Sequence, residues 1–245
     1  MRTNLTVPSL VDALTAAIRE RILTGQLTGG TPLTEKEIST FYDVARPTAK
    51  AALERLVYEG ILRRATNKTA RVPLMDADDI RDLYYSRAFL EREVVAALAA
   101  TGNVPAEAQN ALAVMRAAID HQAPLTKVVQ ADITFHRSLV NALNSPRITR
   151  MYHSVIGETH LCMAQVQARH LLSPVVIAAE HEDILRAIAD SDPAAAADHV
   201  TTHLNRACAR LISHVTGRSA TEEHPPGPDK PRAEPKTARR ANQPS

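Results

Sequence analysis

Apolar residues stand at Leu10, Leu14, Ile18 and Ile22, one every four positions, with polar residues between them. That period lays them along one stripe of a helix, predicted over 9–24 and stopped by Gly25. Gly29, Gly30 and Pro32 predict a turn. Thr34-Glu35-Lys36-Glu37 reads as a capping box, in which the Thr34 hydroxyl takes one free N–H and Glu37 reaches back to another. A short helix would follow to residue 42. A third helix is predicted over 47–59, opening on Pro47 and stopped by Gly60, with Ala49, Ala52, Leu53, Leu56 and Val57 inward. Residues 61–64 and 71–74, around a polar tip at 65–69, predict a two-stranded hairpin. Three helices and a hairpin in this compass make a winged helix-turn-helix.

Past Asp76 the pattern becomes helical throughout. The predicted spans are 78–100, 105–121, 125–143, 147–170, 174–189 and 193–215, separated by Gly102, Pro105, Pro124, Pro146, Pro174 and Pro193. From Arg218 onward prolines and mixed charges replace large apolar residues, which predicts a disordered tail. The fold class is therefore mainly α. A winged helix-turn-helix over 1–75 is joined to an all-α helical bundle over 76–217, with a tail over 218–245.

Composition narrows the reading. With three Phe, five Tyr and no Trp, the cores must be aliphatic. No apolar run of about 18 residues occurs, so no membrane helix is expected, and the charged first helix is no secretion signal. These features point to a cytoplasmic protein. Cys162 and Cys208 stand far apart, outside any CxxC pattern, and read as two free thiols. Charge is split between the halves. Residues 1–75 hold 11 Lys/Arg against 7 Asp/Glu, a net of +4, whereas 76–217 hold 12 against 16, a net of −4. The first half can face a polyanion and the second should not.

The cations of the first half stand where a DNA reader needs them. Arg46 and Lys50, one turn apart with Thr48 between them, lie opposite the apolar face at the start of the third helix, the end that enters the major groove. Arg can fork onto a guanine edge; Lys can reach a base or a phosphate. Asn67 and Lys68 occupy the hairpin tip, flanked by Arg63, Arg64 and Arg71, and suit phosphate or minor-groove contact. Glu35, Arg46, Thr48, Lys50, Asn67 and Lys68 are the candidate DNA-contacting residues.

The second half carries polar residues where the helical period demands apolar ones. On 125–143 the stripe is Leu125, Val128, Asp132, His136, Leu139 and Leu143; on 174–189 it includes His181, and on 193–215 His203. A buried unpaired carboxylate is costly. One divalent metal shared by Asp132, His136, His181 and His203 would remove that cost, and the donor set suits Zn, Ni or Mn. His153, His160, His170, His199 and His214 fall off their stripes or near helix ends and are expected at the surface. Arg87 also stands on an apolar stripe. It could pair with an internal acid such as Glu91 or Asp132, or clamp an anionic effector beside the metal.

Two stretches carry a resemblance. Leu33–Ile38, then Val44-Ala45-Arg46-Pro47-Thr48-Ala49-Lys50-Ala51-Ala52-Leu53, then Leu56-Val57-Tyr58-Glu59-Gly60-Ile61-Leu62 resembles the GntR family of bacterial regulators over about residues 9–74. That likeness places Arg46 and Lys50 at DNA-contacting positions. Ala45 stands where the family has a Ser cap, which should weaken the helix start by about 1 kcal/mol. Leu83–Glu91, Ala131-Asp132-Ile133-Thr134-Phe135-His136, Glu180–Ile188 and His203-Leu204 resemble the family's FadR-type FCD ligand-binding domain over about 76–217. The resemblance implies a metal on Asp132, His136, His181 and His203, and a small carboxylate effector near it, with Arg87 as its clamp. The whole then reads as a homodimeric regulator on a pseudo-palindromic double-stranded operator. A direct metal sensor, a structural metal and a metal-dependent hydrolase are the alternatives. Against the last, no HExxH is present.

Overall fold

The computed structural model describes residues 9–66, 68–166 and 173–217. The reader half opens with α1 (Leu10–Leu23), whose N-terminus is closed by a Ser9–Asp12 capping box. Thr34 and Glu37 make the expected box on α2 (Glu35–Tyr42): the Glu37 amide donates to Thr34 Oγ1 at 3.2 Å and the Thr34 amide to Glu37 Oε2 at 3.1 Å. Helix α3 (Arg46–Tyr58) starts at Ala45, in extended cap conformation but with no side-chain hydrogen bond to the helix.

The hairpin is smaller than the sequence predicts. Residues 61–64 meet the returning chain through one bridge, Arg63 opposite Arg71. The strand β2 (Ala70–Arg71) instead pairs antiparallel with β1 (Pro32–Leu33), inside the stretch read as a turn. The cause is packing. Ile61 and Leu62 are both buried, and neighbours that both enter a core cannot alternate across a half-exposed strand.

The second half is built from α4 (Ala77–Ala99), α5 (Ala106–Asp120), α6 (Leu125–Ala142), α7 (Pro146–Gln165), α8 (Pro174–Ala189) and α9 (Pro193–Thr216). Helix α4 lies along α9, α5 along α6, and α8 closes against α9. The tail predicted over 218–245, the end of the helix predicted to 170, and His170 lie outside the described residues.

Among the described residues two apolar cores result: one within the reader, and one from Met75 through Leu211 in the bundle. They meet at α7. Leu161 leaves the bundle to join the reader's core. Gly60 ends α3 at φ +74° and presses on Glu158 and the Ser154 carbonyl. Gly157 packs so closely on the Glu59 carbonyl that a Cβ there would collide with backbone. Arg63 donates to Asp79 and Glu158, each at 2.9 Å. Gln165 grips the connecting chain, donating to the Pro73 carbonyl at 2.6 Å and accepting from the Met75 amide at 3.3 Å. The reader is seated on the bundle through side chains and backbone together.

Candidate metal centre and nucleic-acid interface

Helices α6, α8 and α9 bring Asp132, His136, His181 and His203 together, all buried, with one donor atom from each lying within 4.8 Å of the others. The i,i+4 spacing aims Asp132 and His136 the same way from α6. His136 Nε2 is 3.2 Å from His203 Nε2, and Asp132 Oδ1 is 3.3 Å from His181 Nε2 and 3.8 Å from His136 Nε2. Donors held about 2.0–2.2 Å from one ion stand roughly 3–3.5 Å apart, so these spacings match a shared cation.

The surrounding hydrogen bonds sharpen the point. His136 Nδ1 lies 2.6 Å from Glu91 Oε2, and His203 Nδ1 lies 2.7 Å from Glu180 Oε2. Each carboxylate can only accept, so each Nδ1 carries its proton and each neutral ring turns a lone pair inward from Nε2. Burial pushes the pKa of all three imidazoles down, His181 the furthest, and favours the neutral form. Two lone pairs then face each other at 3.2 Å, an arrangement a cation between them would relieve. His181 lies flat on Phe135, ring centroids 3.9 Å apart and planes 5° off parallel, and neither of its nitrogens has a hydrogen-bond partner among the described residues. Its approach to Asp132 is close but not aligned as a hydrogen bond. The donor set fits a metal ion.

Glu91 was legible only as a mate for Arg87. It proves to be a hub: it accepts from Arg87 Nε at 2.8 Å and Tyr152 Oη at 2.7 Å as well as from His136. Burial alone would raise its pKa, yet the Arg87 charge and then His136 hold the carboxyl well below the usual range. Glu91 stands four residues after Arg87, so the same helical period put it inside. Arg87 thus has the internal acid as a mate, but its Nη2 stays buried with no hydrogen-bond partner among the described residues. Glu180, which reads as off its stripe, reaches His203 and also pairs with Arg206.

On the reader, Arg46 and Lys50 are exposed on α3 with Thr48 half-buried between them, and Lys50 pairs loosely with Glu54 at 3.9 Å. Glu35 is half-buried in the first turn of α2, Lys68 is exposed on the wing, and Asn67 lies outside the described residues. Of the flanking arginines, Arg63 turns to the bundle, as above, and Arg71 donates to the Gly30 carbonyl at 3.0 Å. Arg64 remains exposed. His153, His199 and His214 are exposed as expected, whereas His160 is half-buried because it faces α1 of the reader across a cleft. Cys162 and Cys208 are free thiols.

Comparison with known proteins follows the same division. Residues 10–72 match the bacterial regulatory proteins of the gntR family, and residues 82–206 match the FCD domain. The chain belongs to the GntR family. It is a DNA-binding transcriptional regulator with an FCD domain, and not an enzyme. The HTH-type transcriptional regulator BphR of Paraburkholderia xenovorans (strain LB400) is 27% identical over 146 residues. That match spans 57% of this chain and 60% of BphR, under two thirds of that protein's length. A GntR transcriptional regulator of Rhodococcus sp. RHA1 shares 26% identity at a TM-score of 0.71, over 83% of this chain and 97% of that one. The metal-free FCD domain of TM0439 matches at 19% identity and a TM-score of 0.50, over 59% of this chain and 99% of that one, a likeness of fold alone. Among the described residues no helix is long and apolar enough to cross a membrane.

Proposed function

We propose that this regulator holds a divalent transition metal (Zn, Ni or Mn) on Asp132, His136, His181 and His203, and that a small carboxylate effector bound beside it changes operator affinity. The observation that carries the metal is the pair of inward lone pairs on His136 and His203, locked there by Glu91 and Glu180. When bound, the metal supplies positive charge and an attachment point for an anion. The free Nη2 of Arg87 supplies a second donor for that anion. Residues 1–75 form the reader, with Glu35, Arg46, Thr48, Lys50, Asn67 and Lys68 as its DNA contacts, and 76–217 form the sensing and dimerisation unit. The working form is a cytoplasmic homodimer on a pseudo-palindromic operator, the arrangement that two-fold half-sites require. Exposed Tyr85 and Phe89, one turn apart on α4, are consistent with a surface for self-association.

Metal analysis of the purified wild type beside His136→Ala tests this, with melting temperature read before and after a chelator. About one divalent ion per chain, lost in the variant, is expected. Carboxylates then screened against metal-loaded protein should shift its operator affinity. No metal in either protein after reconstitution removes the centre and leaves the DNA reader standing. Operator affinity that follows free metal with no carboxylate present identifies a direct metal sensor instead.

A further inference from the structure

A cleft of 430 Å³ opens between the reader and the bundle. Its size lies within the range of small-molecule sites, and domain junctions are a favoured place for them. Leu23 of α1, Val129 of α6 and Met163 of α7 give it an apolar floor. His160 of α7 borders that floor half-buried, with no hydrogen-bond partner among the described residues. Burial pushes its pKa down to about 4, so at neutral pH the ring offers a hydrogen bond rather than a charge. Lys127 and Glu20 are exposed at the edge, on α6 and α1, and neither has an ion-pair partner among the described residues.

We propose that this cleft is a second ligand site, separate from the metal centre, which takes a small amphipathic monocarboxylate. The apolar body lies on Leu23, Val129 and Met163, the carboxylate meets Lys127, and His160 hydrogen-bonds a polar atom of the ligand. Glu20 across the opening disfavours a second negative charge, which selects against dicarboxylates. None of these residues is a metal donor or hydrogen-bonds to one. The walls belong to different domains, α1 to the reader and α6 with α7 to the bundle. A ligand touching both favours one seating of the reader over others, and by linkage biases DNA binding.

The probe is hexanoate, titrated by calorimetry into the full-length wild type, with and without a chelator, and into Lys127→Glu and Val129→Trp, each kept metal-free by the chelator. Metal-free wild type should bind, K127E should weaken that binding at least about tenfold through loss of the charge-assisted contact, and V129W should abolish it by filling the floor. Lys127 is exposed, so K127E decides alone where V129W fails to fold. Any other pattern overturns the proposal: no binding to metal-free wild type, K127E binding as wild type does, or binding seen only with metal present, which moves the ligand to the metal centre. The last outcome leaves the metal reading intact, and failure of the metal reading leaves this one intact.

Discussion

Replacing Glu91 by Gln tests how the buried network works. The carboxylate, 1% exposed at its side chain, is the only ion-pair mate of Arg87 among the described residues; Arg87 is 2% exposed, and the same carboxylate also holds the Nδ1 proton of His136. Gln keeps the size and one acceptor but loses the charge, and in either orientation its amide N–H groups face a donor, those of Arg87 and Tyr152 on one side or His136 Nδ1 on the other. Removing one partner of a buried pair costs about 3–5 kcal/mol, because the other charge is left in a low-dielectric interior. Against a domain stability of about 5–15 kcal/mol that is a large fraction. Loss of the carboxylate behind a ligating imidazole lowers metal affinity by about 10–100-fold. Tyr152→Phe is the matched control: it removes another hydrogen bond to the same charged carboxylate, should cost about 1.5–3 kcal/mol, and should leave metal affinity alone. Urea unfolding of metal-free protein gives the first quantity and competitive metal titration the second. An E91Q variant within about 1 kcal/mol of wild type, binding metal as tightly, would refute the account of Glu91 as hub.

Further outcomes are expected. Arg46→Ala should cost about 1–3 kcal/mol in operator binding and relax base preference, whereas Lys68→Ala should weaken all DNA alike and reduce the salt slope by about one, read from binding isotherms over a salt series. Ala45→Ser should stabilise the chain by about 1 kcal/mol in denaturant unfolding, since the backbone already has cap geometry and only the side-chain acceptor is missing. Metal-free protein should lose stability as pH falls below about 6.5, the ordinary His value. The buried imidazoles of His136, His181 and His203 have folded pKa values pushed down by burial, so below that pH the unfolded chain binds more protons than the native one; a melting temperature flat from pH 7 to 5 would count against it. Gly157→Ala should destabilise by about 1–3 kcal/mol, because its methyl group meets the Glu59 carbonyl rather than a side chain that can swing away.

What could be read in the sequence was what helical periodicity records. The stripes placed Asp132, His136, His181 and His203 inward from three helices, and a capping box fixed the start of α2. Glu91 was equally legible from its spacing to Arg87, but its grip on His136 joins positions 45 residues apart and leaves no local trace. Long-range partners decided the rest. Arg63 reads as a wing cation and is claimed by Glu158 from α7. Pro32 reads as a turn residue, and β1 exists because Ala70 and Arg71 come back to pair with it. His160 is off its stripe and is half-buried because the reader lies against that face of α7.

The seating of Gly157 on Glu59, with Arg63 clasped by Asp79 and Glu158, gives the molecule a fixed gauge. A reader tethered by a slack linker could follow half-sites at several spacings. One pressed backbone to backbone on its bundle keeps a single seating for as long as that contact holds. In the proposed dimer this seating sets the separation and phase of the two recognition helices. Adding one base pair between half-sites turns the second by about a tenth of a turn of DNA, which places its major-groove edges out of register with Arg46 and Lys50.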